Sequence, residues 1–258
     1  DFGKKTSFPE FEYGMKFTEE SCEKVKMGEW TWETGMNRNM IDDFERIRDY
    51  GMLVIYSNWS FLKNHSSVAK EYENLNLDWV AYTSGKRESR RLMGDYILSE
   101  QDIDLSLWHE DASFTTTWHM DLHFPDARNS KYFPGEEFKA QTKDNMIHPY
   151  AVPYRCLYSR NINNLFMAGR NISTTHIALG STRLMRTIGM MGEVVGMAAS
   201  ICTDHNALPR DVYQKYLSEL KELMLKGSAK AGELPDNQHF NEGGYLKEPM
   251  VKVDRKAK

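Results

Sequence analysis

Apolar and polar positions along the chain alternate with two different periods. From Ser113 to Phe124 they alternate one for one: Phe114, Thr116, Trp118, Met120, Leu122 and Phe124 against Ser113, Thr115, Thr117, His119, Asp121 and His123. A strand sends successive side chains to opposite faces, so this pattern predicts one long strand with a nearly apolar face and a face bearing His119, Asp121 and His123. Leu165-Phe166-Met167-Ala168 is a short apolar run of the kind a buried strand shows. Gly169, Arg170 and Asn171 end it, and a polar loop leads to Ser181-Thr182, either of which can cap a helix.

Helical periodicity predicts a long helix from Arg183 to about Ile201. Gly189, Gly192, Gly196 and Ala199 recur in it at steps of three and four, which leaves one stripe almost without side chains. Glycine in a helix interior costs about 1 kcal/mol relative to alanine, so the stripe implies close approach by a strand or a flat ligand. A second helix is predicted over Ala207–Gly227, with Pro209 and Asp211 in its first turn and Tyr213, Tyr216, Leu217, Leu220, Leu223 and Met224 buried. Upstream, Asn39 or Asp42 would cap a helix running to about Lys63, with Phe44, Ile47, Gly51, Val54, Ile55 and Leu62 on its inner face. A short helix is expected at Ser66–Asn74, a strand at Leu77–Tyr82, and a capped turn of helix at Ser99 with Asp102. Trp30, Trp32 and Glu33-Thr34-Gly35 read as a short strand and turn, residues 126–147 as a loop, and His148–Tyr158 as extended. The fold class is therefore mixed α and β.

Composition narrows the function classes. With 40% hydrophobic and 12% aromatic residues, the 258-residue chain can bury a sizeable core in one or two domains. A net charge of -4 gives no electrostatic reason to bind nucleic acid or an anionic membrane. No apolar run is long enough for a membrane span. Cys22, Cys156 and Cys202 are too scattered for a disulfide framework or a zinc site.

A strand, a Gly-Arg turn and a helix N-terminus together direct backbone N–H groups and partial positive charge at whatever lies above the loop. A tightly packed unit with no ligand has the same pattern. The segment NLFMAGRNIS…GSTRLMRTIGMMGEVVGMAA nevertheless resembles the C-terminal flavin-contacting segment of FAD-dependent oxidoreductases built from two dinucleotide-binding domains. More narrowly, it is similar to the bacterial group given that plain description. The basic stretch GKRESRRLMGDYILSEQDI, from Gly85, resembles a segment of the same enzymes.

The resemblance implies FAD as cofactor and a small polar molecule as substrate, with hydride passing from a carbinol or amine carbon. It implies a substrate or cap domain over residues 1–150, the closing strand, loop and helix of a Rossmann-like FAD-binding domain over 151–227, and a surface-packed tail over 228–258. The implied cofactor contacts are Gly169, Arg170, Asn171, Ser173, Ser181, Thr182, Arg183 and Gly192. Arg90, Arg91, Tyr96 and Arg155 fall on the substrate side, and His176 lies in the loop along the flavin. The chain contains no Gly-x-Gly-x-x-Gly turn to cradle a pyrophosphate, and it begins at Asp1. It is expected to be a fragment or processed piece of a longer protein, inactive and weak in FAD binding on its own, with the missing segment supplied upstream or by a partner chain.

Three readings of the His119, Asp121 and His123 face remain open. They could form an active-site wall on which a histidine takes a hydroxyl proton while Asp121 holds its tautomer. They could bind a metal, as in a metal-dependent hydrolase. Or they could be a hydrogen-bonded polar face in a non-catalytic binding module whose aromatic residues include Trp30, Trp32 and Trp118.

Overall fold

The computed structural model describes residues 3–25, 32–83, 85 and 88–227. Trp30, the Lys86-Arg87 pair and the tail after Gly227 lie outside the described residues. The chain divides into two compact units, Asp1–Arg87 with His123–Lys143 and Glu88–Leu122 with Asp144–Lys258. The chain leaves the first unit after residue 87 and re-enters it for one excursion, residues 123–143.

In the first unit, α1 (Phe44–Asn64) buries Ile47, Val54, Trp59 and Leu62. Its C-terminal half also buries Ser57, Asn58 and Ser60, and these bind the preceding segment. Ser57 Oγ accepts from Met15 N, Ser60 Oγ from Phe11 N, and Asn58 exchanges two bonds with the Glu23 backbone. A polar row on an otherwise apolar helix thus satisfies a segment that has no regular structure of its own. The expected short helix after Ser66 is a single 3₁₀ turn, Ala69–Tyr72. Leu77–Tyr82 forms no strand, and Trp79 and Tyr82 are largely exposed.

The second unit holds most of the core. Ser99 and Asp102 form the expected capping box of α2 (Glu100–Asp104). The long strand of the sequence pattern is two strands, β1 (Ala112–Thr116) and β2 (Met120–Pro125), with residues 117–119 between them. β1 is buried on both faces and pairs antiparallel with β4 (Tyr150–Pro153). Ser113 and Thr115 fall on the row that the alternation assigns to the polar face, yet both are buried, and Ser113 Oγ donates to the Val152 carbonyl. Thr116, on the apolar row, donates through Oγ1 to the Ser181 carbonyl. β2 pairs with a strand missed in the sequence, β3 (Ala140–Asn145), so the chain must leave one ladder before joining the next. Between them, in the stretch that belongs to the first unit, lies the helix α3 (Ala127–Tyr132) where the sequence pattern suggests a loop; Asp126 caps it by accepting from Asn129 N.

The predicted helix start at Ser181-Thr182 is displaced. α4 (His176–Thr182) begins after Thr175, whose hydroxyl accepts from Ala178 N, and Ser181 and Thr182 are fully buried in its last turn. Arg183 and Leu184 break the helix, and α5 (Met185–His205) leaves at 90°. The second predicted helix also divides, into α6 (Pro209–Lys215) and α7 (Leu217–Lys226). At the break Tyr216 stacks on His205, with ring centroids 4.2 Å apart, which ties the turn back to the end of α5. Leu165–Ala168 forms one bridge, Phe166 with Tyr158, and no longer strand. Among the described residues no sheet exceeds two strands, and no single helix is long and apolar enough to cross a membrane.

Candidate functional site

Both ends of α4 make polar or close backbone contacts: His176 at its start meets Glu88, and Gly180 and Arg183 at its end meet Asp121. Ala178, Leu179 and Gly180 are buried and anchor α4 on the core. Gly180 lies against Asp121: a Cβ there would stand 3.0 Å from the Asp121 carbonyl oxygen and 3.1 Å from its nitrogen. A residue without a side chain is what lets the helix press onto β2.

His176, the first residue of α4, has Nδ1 3.1 Å from Glu88 Oε1. Glu88 also takes the guanidinium of Arg91. Desolvation, then the charges of Arg91 and Arg183, lower the His176 pKa below its ordinary 6.5. The carboxylate at Nδ1 is thus itself paired with a cation. With 67% of the side chain exposed, His176 is open to solvent and neutral at pH 7.

Arg183, at the α4–α5 break, pairs with the Asp121 carboxylate. Beside it His119 Nε2 lies 3.2 Å from Asp144 Oδ1, and the Trp118 ring lies against the imidazole with centroids 4.5 Å apart. One donor atom from each of His119, Asp121 and Asp144 falls within 4.8 Å of the others. His123 does not share this group. It bonds Glu33 through Nδ1 at 2.7 Å, within the first unit. The histidine row of the sequence is therefore two separate sites.

Other predicted site residues have structural partners. Arg155 makes a two-pronged bond to the fully buried Asp111, at 2.9 and 2.8 Å, and lies over the rings of Tyr96 and Tyr213. Tyr96 donates to Asp102. Ser173 is buried and donates to the Tyr96 carbonyl at 2.6 Å. Arg90 and Arg170 are exposed. Asn171 is exposed too, and its carbonyl accepts from Leu92 N at 3.0 Å. Gly169 takes a φ of +153°, which a side chain would disfavour.

The glycine stripe of α5 is uncovered. An added Cβ at Gly189, Gly192 or Gly196 would meet nothing within 4 Å. The opposite face of the same helix buries Met191, Val194, Ala198 and Ile201. No side-chain cap closes the N-terminus of α5, where Met185 is 90% exposed.

Two residues of the cluster escaped the sequence pattern. Glu88 sits in a stretch conspicuous for its arginines, and Asp144 lies in what reads as a loop; only the pairing of β3 with β2 brings it to His119. The family model described as FAD dependent oxidoreductase matches residues 9–224 of the chain. Among curated proteins and solved structures no match is found.

Proposed function

The chain belongs to the FAD dependent oxidoreductase family, and we propose that it holds FAD along the bare face of α5 and takes a substrate proton with His176. The residues fit a flat cofactor. The uncovered stripe at Gly189, Gly192 and Gly196 offers a surface with no side chain to displace. The uncapped first amides of α5, at residues 185–187, suit the anionic edge of a reduced ring. They replace Ser181 and Thr182, whose burial inside α4 removes them from that role. The exposed Arg170, after the Gly169 turn, suits a phosphate or ribityl oxygen. The sequence has no Gly-x-Gly-x-x-Gly turn, so this reading assigns the pyrophosphate to a further segment or partner chain and takes residues 151–227 as the closing part of a Rossmann-like FAD-binding domain.

FAD, when bound, supplies the hydride acceptor. The chain's own task is then the proton of a carbinol or amine substrate. The observation that carries the assignment is the His176–Glu88 bond. A carboxylate at Nδ1 fixes that nitrogen as the protonated one, so Nε2 keeps the lone pair that accepts a proton. The lowered pKa keeps His176 in its basic form near neutrality. His119 is less suited, because Asp144 engages its Nε2.

The test is anaerobic bleaching of the FAD-loaded protein, assembled with the segment or partner chain that completes the pyrophosphate site, by a panel of alcohols, polyols and amines. At least one class should reduce the wild type. His176→Gln should slow that reduction by roughly 10²–10⁴-fold, the usual worth of a general base, with FAD affinity unchanged. Equal rates in the two proteins, or no reduction by any class, would overturn the reading.

A further inference from the structure

We propose that His119, Asp121 and Asp144 form a binding site for a divalent transition-metal cation. Two stretches supply the three residues: His119 just before β2 and Asp121 within it, and Asp144 on the paired strand β3. Their donor atoms lie within 4.8 Å of one another, and the closest pair, His119 Nε2 and Asp144 Oδ1, is 3.2 Å apart. Two ligands held at the 2.0–2.1 Å bond lengths usual for zinc stand about 3.3 Å apart in a tetrahedral shell. The closest pair therefore already has the spacing of two ligands sharing one ion.

The surroundings hold these groups in place. Trp118 lies against the His119 ring. Gly180 brings α4 onto the peptide of Asp121. The charges also suit a cation. Two carboxylates and an imidazole converge, and Arg183, paired with Asp121, compensates one of the two negative charges. Mixed nitrogen and oxygen donors favour zinc, manganese or cobalt over a hard ion such as calcium. Three protein ligands leave a position for water or for an oxygen of a substrate.

This site stands independently of the flavin reading and is tested on protein without FAD. The chelator-treated chain is titrated with zinc by calorimetry and with cobalt by visible absorption. The wild type should take up one equivalent, with the ligand-field bands of a nitrogen-and-oxygen site for cobalt. His119→Ala and Asp144→Asn should each weaken binding at least tenfold, while Arg183→Gln should tighten it by removing the competing charge. No uptake by the wild type would overturn the proposal, as would uptake that both His119→Ala and Asp144→Asn leave unchanged. If His119→Ala fails to fold, Asp144→Asn decides, because that side chain is 48% exposed and can change without disturbing the core.

Discussion

Gly180 rests on the backbone of Asp121, and the position of Arg183 three residues later depends on that contact. Alanine at Gly180 would place a Cβ 3.0 Å from the Asp121 carbonyl oxygen, and backbone cannot give way as a flexible side chain can. Helix propensity alone favours alanine by about 1 kcal/mol, whereas overpacking of this kind costs about 1–3 kcal/mol. Gly180→Ala should therefore lower stability in urea unfolding. A variant as stable as the wild type, or more so, would show that the helix and strand are not in this contact.

The buried polar network around Asp102 should make the fold acid-sensitive. Burial opposes the charge on Asp102, but His109, Ser99 and Tyr96 outweigh it and bring its pKa down to about 2. A carboxyl with a depressed folded pKa adds stability above its unfolded value near 3.8, and loses it as pH falls toward about 2. The contribution is on the order of 2 kcal/mol. Urea midpoints measured from pH 5 downward should fall across that window, and Asp102→Asn should flatten the fall while lowering stability at pH 7. A variant with the wild-type slope would remove Asp102 as its source.

Local rules made much of this legible in the sequence, and tertiary partners account for what was not. The Ser99–Asp102 capping box, the glycine stripe and the existence of a helix after Arg183 follow from spacing along one element. The break in the twelve-residue strand does not, because alternation cannot tell a hydroxyl facing water from one donating to a buried carbonyl, as Ser113 does to Val152. The shifted start of α4 has a similar cause: Ser181 and Thr182 look like caps, yet Thr175 supplies the cap and they fill the core. Within the candidate site, His119, Asp121 and His176 were readable as chemistry-bearing residues. Their partners Asp144 and Glu88 were not, since nothing near them in sequence sets them apart. His123 was grouped with His119 by periodicity alone, and Glu33 takes it instead.

The bare face of α5 separates stability from cofactor binding. Gly192→Leu and Gly196→Leu add side chains that meet nothing in the chain. Each should leave the thermal midpoint unchanged or raise it, since leucine is the better helix former by close to 1 kcal/mol. Both should sharply weaken FAD binding in a fluorescence titration if the face carries the flavin. Retained FAD affinity in the pair would place the cofactor elsewhere.

His176 can take a substrate proton only over part of the pH range. The base must be neutral, so flavin reduction by an active substrate should fall as pH drops through the His176 pKa, which lies below the ordinary 6.5. Desolvation and the charges of Arg91 and Arg183 hold it there. Removing one of those charges should raise it. Arg91→Gln does so twice over, because it takes away a repelling cation and frees Glu88 to stabilise the protonated ring. The acid limb of the Arg91→Gln profile should therefore move to higher pH, with the plateau rate at alkaline pH kept. Glu88→Gln acts in the opposite sense: the ring loses its anionic partner while Arg91 loses its counter-charge, so the limb should move to lower pH. His176→Gln should abolish the limb together with most of the rate. Rapid-reaction measurement of flavin reduction from pH 4.5 to 8 would show all three effects. Limbs that coincide in the wild type, Arg91→Gln and Glu88→Gln would mean that the titrating group is not His176, and the proton would then have to be sought on another residue of the cluster.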